Sequence, residues 1–200
     1  MKIQQKRLIK PKIFILSNGE LAEPQYFSDF KDHLKANTVV LVQAKSKSPW
    51  QLVEIAIQKK NSLIGKKRFS DIDGDQLWCV FDVDNYWKDN KSAFIDAISL
   101  AEQNDIKLAW SNECFEVWFL CHFALLSTTL PRNDYHIKLG EHFKKKGLGV
   151  YKKNMNKVFK ILLTYQPEAI KNARKLLKKG MLGKNPSTSV VELVEVLNSL

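Results

Sequence analysis

Two aspartates separated by one valine, in Phe81-Asp82-Val83-Asp84, end an apolar stretch in the first half of the chain. In an extended strand, residues i and i+2 point to the same side, so both carboxylates can converge on one hard cation. Two like charges that close repel, and a bound metal removes the conflict. The alternative reading is a pair of solvated loop aspartates, with Asp84 capping the next helix. A second source of carboxylates is the loop Asn18-Gly19-Glu20-Leu21-Ala22-Glu23-Pro24. There Glu20 and Glu23 could complete a cation site, and Gly19 could supply the backbone freedom of a tight turn. Acidic residues also suit the first turn of a helix because of the macrodipole, so these glutamates have a structural reading as well.

Ser111-Asn112-Glu113 makes a third polar cluster, either reaching the same site or capping a helix that begins near Cys114. Glu116 and His122 follow among Trp118, Phe119, Leu120 and Phe123. A charged residue in such company needs a partner. His122 reads either as a hydrogen-bonded core ring or as an accessory group of the site. His33, His136 and His142 have no motif around them. Neither G-x-x-x-x-G-K-[ST] nor G-x-G-x-x-G is present, so an ATP-driven step would need another protein.

The elements that must position these residues follow from the hydrophobic pattern. Residues 12–16, 38–44, 77–84 and 106–110 read as short apolar strands, with 38–44 β-branched and continuous. Helices are expected from Glu23-Pro24, from Ser48-Pro49 through Lys60, over 90–104, and from Cys114 to Leu126. This alternation builds a parallel, Rossmann-like α/β sheet flanked by helices. Ligands of such sheets bind beyond the carboxyl ends of the strands, which is where the aspartates and the 18–24 loop fall.

After Pro131 the texture changes. Residues 132–146 and 154–180 read as basic amphipathic helices around a glycine-marked linker at 147–153, with a last short helix at 189–199. The expected organisation is therefore an α/β domain over 1–130 and a basic helical region over 131–200. Of the net charge of +11, residues 132–184 hold 15 basic and only 3 acidic side chains, a local excess of +12. A solvated face is one reading of that run. The other is a grip for polyanions, built on Lys144, Lys145, Lys146, Lys152, Lys153, Arg174, Lys175, Lys178 and Lys179.

Composition limits the remaining classes. With 44% hydrophobic and 26% charged residues the chain is globular. Cys79, Cys114 and Cys121 are an odd number at unrelated spacings, which disfavours a disulfide framework and a zinc site and points to buried thiols in a reducing compartment. No signal sequence or membrane-length apolar run is visible, so a cytoplasmic protein is expected.

Taken together and in order, four segments resemble the RloB-like family of bacterial phage-defence proteins, also called the AbiLii type, whose core is related to Toprim domains. They are NGELAEPQYF (18–27), close to E-G-x-x-T-E-P-x-Y-F, and WCVFDVDNYW (78–87), which carries a Toprim-like D-x-D. LAWSNECFEVWFLCHF (108–123) is close to S-N-P-C-F-E-x-W-x-x-x-H-F, and NPSTSVVELVEVL (185–197) is the last. The resemblance implies a Toprim-like fold and a nuclease dependent on Mg²⁺ or Mn²⁺, acting on DNA or RNA (tRNA included). It implies a role in abortive infection and an ABC-type ATPase partner. Carried over by position, Asp82 and Asp84 hold the metal; Glu23, as a third ligand, and Glu20 remain as the acidic candidates of the first loop, and Asn18, Gly19, Ser111, Asn112, Glu116 and His122 are accessory. Asn18 stands where the family has its first glutamate, and Ala22 where it has threonine. A neutral carbonyl oxygen at that position makes the second expectation a degenerate relative that binds nucleic acid, or docks a partner, without cutting.

Overall fold

The computed structural model describes residues 10–19, 21–35, 38–44, 48–83, 86–178 and 184–200. Its centre is a five-stranded sheet in the order β2-β1-β3-β4-β5. Strands β1 (Ile13–Ser17), β2 (Val39–Gln43), β3 (Gln76–Asp82) and β4 (Lys107–Asn112) run parallel, and β5 (Ser187–Thr188) is antiparallel to β4. The crossovers are helices, as parallel pairing demands. These are α1 (Ala22–Leu34), α2 (Pro49–Gly65), the short α3 (Tyr86–Asp89), and α4 (Lys91–Gln103). Two begin as their sequences lead one to expect. Ser48 Oγ accepts a hydrogen bond from Gln51 N ahead of Pro49, and Asn90 Oδ1 accepts one from Ala93 N.

Each strand divides its side chains between two cores. Ile13 and Ile15 of β1 and Trp78 and Val80 of β3 face one layer, while Phe14, Leu16, Leu77, Cys79 and Phe81 face the other. The second layer is covered by α2 and α4. Helix α1 and everything after β4 cover the first. That set comprises α5 (Glu116–Cys121), α6 (Arg132–Lys145), α7 (Val158–Leu162), α8 (Gln166–Lys178) and α9 (Val190–Asn198). Strand parity therefore puts Asp82, two residues beyond Val80, at the end of the face that α5 and α6 cover. The described residues after Pro131 share this core: Phe159 of α7 stacks on Phe30 of α1 at 4.3 Å, and β5 extends the sheet itself.

Four elements differ from the expectations, the first being the short α3 at Tyr86–Asp89, where no helix is expected. The helix expected over 114–126 stops at Cys121, where Asn172 of α8 donates to the Cys121 carbonyl at 2.9 Å. All six of its residues are buried, so hydrophobic periodicity carried no information about its end. The helix expected over 154–180 is broken into α7, a 3₁₀ turn at Leu163–Tyr165, and α8. Pro167 lacks an N–H and suits the first turn of a new helix, so it starts α8 there. Strand β5, two residues long, is below the reach of any alternation pattern. Among the described residues no helix is long and apolar enough to cross a membrane.

Candidate active site

Strand β1 has β2 on one side and β3 on the other, so the chain reverses direction of winding between β1 and β3. A crevice opens at such a switch point beyond the carboxyl ends of the strands. The loop after β1 and the last residue of β3 both border it. The ladder continues into that loop, with Asn18 N donating to Val80 O at 3.4 Å. Glu23, in the first turn of α1, folds back over Gly19 and is only 4% exposed. A Cβ placed on Gly19 would lie 2.0 Å from Glu23 Oε2 and 2.3 Å from its Cδ. The glycine is thus required by space: its φ lies outside the left-handed region, unlike those of Gly74, Gly147 and Gly149.

Burial pushes the Glu23 carboxyl above its ordinary pKa, and the nearby carboxylate of Glu116 pushes it further. A backbone hydrogen bond at Glu23 itself, and then Lys153 and Arg132, oppose that rise. Arg132, in the first turn of α6, donates from Nη2 to Asp82 Oδ2 at 2.7 Å. Its guanidinium therefore lies against Asp82 and within electrostatic reach of Glu23. One turn further along α6, His136 Nε2 lies 3.5 Å from Glu116 Oε1. Tyr151 donates its hydroxyl to the same Glu116 oxygen at 3.2 Å. Glu116 is 1% exposed, and these contacts are the partners its burial requires. The Cys114 thiol, beside Glu116 and Asp82, is pushed up mainly by burial and then by these carboxylates, so it stays protonated.

The structure thus brings Gly19, Glu23, Asp82 and Glu116 into one neighbourhood, with Asn18 at its rim. Glu20, Asp84 and Lys179 lie outside the described residues, as does the side chain of Lys178. Ser111 and Asn112 are buried in β4 and cap no helix. Ser111 Oγ hydrogen-bonds Thr188 Oγ1 at 2.8 Å, and Asn112 pairs in register with Ser187. His122 is a core ring: its Nδ1 lies 3.0 Å from Trp118 O, and burial lowers its pKa to about 4. Arg132, His136 and Tyr151 were not among the residues singled out from sequence. Arg132 and His136 are four residues apart on a basic helix, a spacing that shows a shared face but not what that face meets.

The basic residues divide in two. Lys144, Lys145, Lys146, Lys152, Lys153 and Lys175 are exposed. Lys146 covers the Tyr165 ring at 5.7 Å. Arg174 is committed to α9, where its guanidinium donates to Glu195 and, at 3.4 Å, to Glu192. Lys153 belongs to both the basic surface and the crevice, because its charge reaches Glu23.

Among the described residues no group of three His, Cys, Asp or Glu side chains is close enough to hold a metal ion. A closed protein cage is therefore not formed by them. Mg²⁺ sites on phosphoryl-transfer proteins typically use one or two carboxylates, with waters and substrate phosphates completing the octahedron. Glu23 and Asp82 offer that hard-oxygen donor set, and a dication would relieve the repulsion between buried Glu23 and Glu116. The donor types are those of an open site of this kind, in which a cation would compete with Arg132 for Asp82 Oδ2.

The sheet order and crevice define an α/β protein of the Rossmann-like kind, with carboxylates gathered at its switch point. The chain belongs to the RloB-like family, whose model matches residues 13–197. That match runs from the first residue of β1 into the last turn of α9. No curated protein and no solved structure matches the chain.

Proposed function

We propose that this protein is a Toprim-type, metal-dependent nuclease that cleaves DNA or RNA phosphodiesters as the effector of a phage-defence, abortive-infection system. In this reading an ABC-type ATPase encoded beside it controls the activity, as in the phage-defence proteins its motifs resemble. The observation that carries the reading is the meeting of Glu23 and Asp82 with Arg132 and Lys153 at the switch point. Anionic and cationic groups side by side in a crevice suit a substrate that is itself a phosphate bridged to a cation. Glu23 and Asp82 would hold Mg²⁺ or Mn²⁺, with Asp84 and Glu20 as further carboxylates. The chemistry a cation supplies there is Lewis-acid polarisation of the phosphoryl group. Arg132 and Lys153 neutralise phosphate oxygens, and the exposed Lys144–Lys146 run and Lys152 hold the flanking backbone.

A second reading, a clamp that binds nucleic acid without cutting it, is favoured by two observations. Arg132 already occupies Oδ2 of Asp82, and the first loop carries Asn18 in place of a glutamate. Labelled DNA and RNA pools incubated with Mg²⁺ or Mn²⁺, with and without the ATPase, separate the two. Cleavage by wild type that is lost in the folded Asp82→Ala variant supports the nuclease. Salt-sensitive binding with no cleavage in any arm supports the clamp.

A further inference from the structure

Helix α6 carries a line of residues that leads away from the crevice. Arg132, His136, Gly140 and Lys144 recur every four positions, so they form one ridge that winds about 120° around the helix over about 18 Å. At the far end of this line lies an open depression of about 710 Å³, lined by Gly140, Lys144, Gly147, Gly149, Val150 and Tyr151. Its floor is bare: a Cβ on Gly140, Gly147 or Gly149 would meet nothing within 4 Å. Val150 is 76% exposed beside it, an apolar surface left open next to several lysines. Tyr151 is part of its lining and is tied to the core. The hydroxyl is anchored on buried Glu116, and the ring packs on His136 at 6.1 Å and on Phe143 at 5.4 Å between centroids.

A mainly apolar recess with an aromatic ring and one lysine in its lining matches a nucleobase attached to a phosphate. Base–aromatic stacking is insensitive to sequence, and lysines track the backbone. We propose that this depression receives one unpaired base of single-stranded nucleic acid, with Lys144 on the adjacent phosphate, while the strand continues along α6 to Arg132. The inference deepens the nuclease reading and rests on it, by making the substrate a single strand or a loop. Paired bases cannot enter such a recess, because both faces of each are already stacked. Because Tyr151 bridges the two places through Glu116, occupation of the recess fixes the strand's distance from Glu23 and Asp82.

Gly140 supplies the test, since a Cβ there meets no atom within 4 Å and any residue in place of glycine favours the helix. Wild type and Gly140→Leu are compared for binding to RNA and DNA oligonucleotides, each single-stranded and as the duplex of the same length, across a salt series. A 2-aminopurine in the single strands reports stacking. The expected result is tighter binding of single strands by wild type, about tenfold weaker in Gly140→Leu, with loss of the 2-aminopurine quench and an unchanged salt slope. Duplex binding stays equal in the two proteins. Lys144→Ala is expected to reduce the salt slope by about one phosphate contact. Preference for RNA or for DNA in the single-strand arms identifies the source of the base. Single-strand binding by Gly140→Leu equal to wild type, with quench intact, overturns the inference and leaves the nuclease reading standing. Wild type that binds no nucleic acid in any arm overturns that reading as well.

Discussion

The sharpest local test of the crevice is Gly19→Ala. The added methyl would sit 2.0 Å from Glu23 Oε2, 2.3 Å from Cδ and 2.5 Å from Oε1. Real Cβ contacts are essentially never under 3.0 Å, so the carboxyl must retreat by at least 1 Å. The backbone at Gly19 accepts alanine, because its φ is not in the left-handed region. The atoms that clash are the end of one side chain, so the fold can absorb the change for about 1–3 kcal/mol, the usual range for overpacking. Glu23, however, is buried and already repelled by Glu116, so its room to move is small. A displacement of about 1 Å at a reacting group costs on the order of 10²-fold in rate. Gly19→Ala is therefore expected to keep its circular dichroism spectrum and cooperative unfolding. On the proposed nuclease reading, Mg²⁺-dependent cleavage should fall about a hundredfold, and calorimetric Mn²⁺ binding should weaken with it. A folded Gly19→Ala protein with wild-type cleavage and Mn²⁺ affinity would show that the position of the Glu23 carboxyl does not matter, and would refute the assignment.

Removing the guanidinium in Arg132→Ala takes a charged hydrogen bond from a largely buried Asp82 and should lower stability by about 1–3 kcal/mol, read from urea midpoints. Arg132→Lys should recover only part, since an ammonium lacks the planar fork; midpoints equal to wild type in both variants would mean that solvent screens the pair. His122 is buried and neutral, with a folded pKa near 4 against an ordinary 6.5, so the unfolded chain takes up the proton first. Stability should fall by about 3 kcal/mol as pH drops from 6.5 to 4, and His122→Gln should show a correspondingly shallower dependence in denaturation curves; equal slopes would argue against this source. Cys79, Cys114 and Cys121 are buried with raised pKa values, that of Cys121 to about 12. All three should resist an aromatic disulfide reagent in the native protein and react after denaturation; rapid native labelling would contradict their burial.

Much of the architecture was legible because its signals are local. The strands betray themselves as apolar runs, and Ser48-Pro49 and Asn90 announce helix starts through residues within one turn. The position of Asp82 at a strand's carboxyl end follows from that pattern alone. Where periodicity was uninformative the reading slipped. The wholly buried α5 has no polar face to mark its end, and its last carbonyl is capped from α8, 51 residues away. Pro167 was a local signal, and the break before α8 could have been read from it. Gly19 was legible as a required glycine, but for backbone freedom and not for the space that Glu23 takes.

What the sequence by itself determined is therefore the alternation of strands and helices, the edge at which carboxylates gather, and the excess of charge beyond Pro131. These depend on neighbours a few bonds or one helical turn apart. The tertiary structure alone decided that Arg132 binds Asp82 across 50 residues, that Glu116 is satisfied by His136 and Tyr151, and that Arg174 is spent on α9. It also decided that α6 to α9 and β5 complete the core and the sheet. The physical reason is that such partners are chosen by which helix crosses which strand end. That choice is set by burying the whole of one sheet face at once, and no local window of residues contains it.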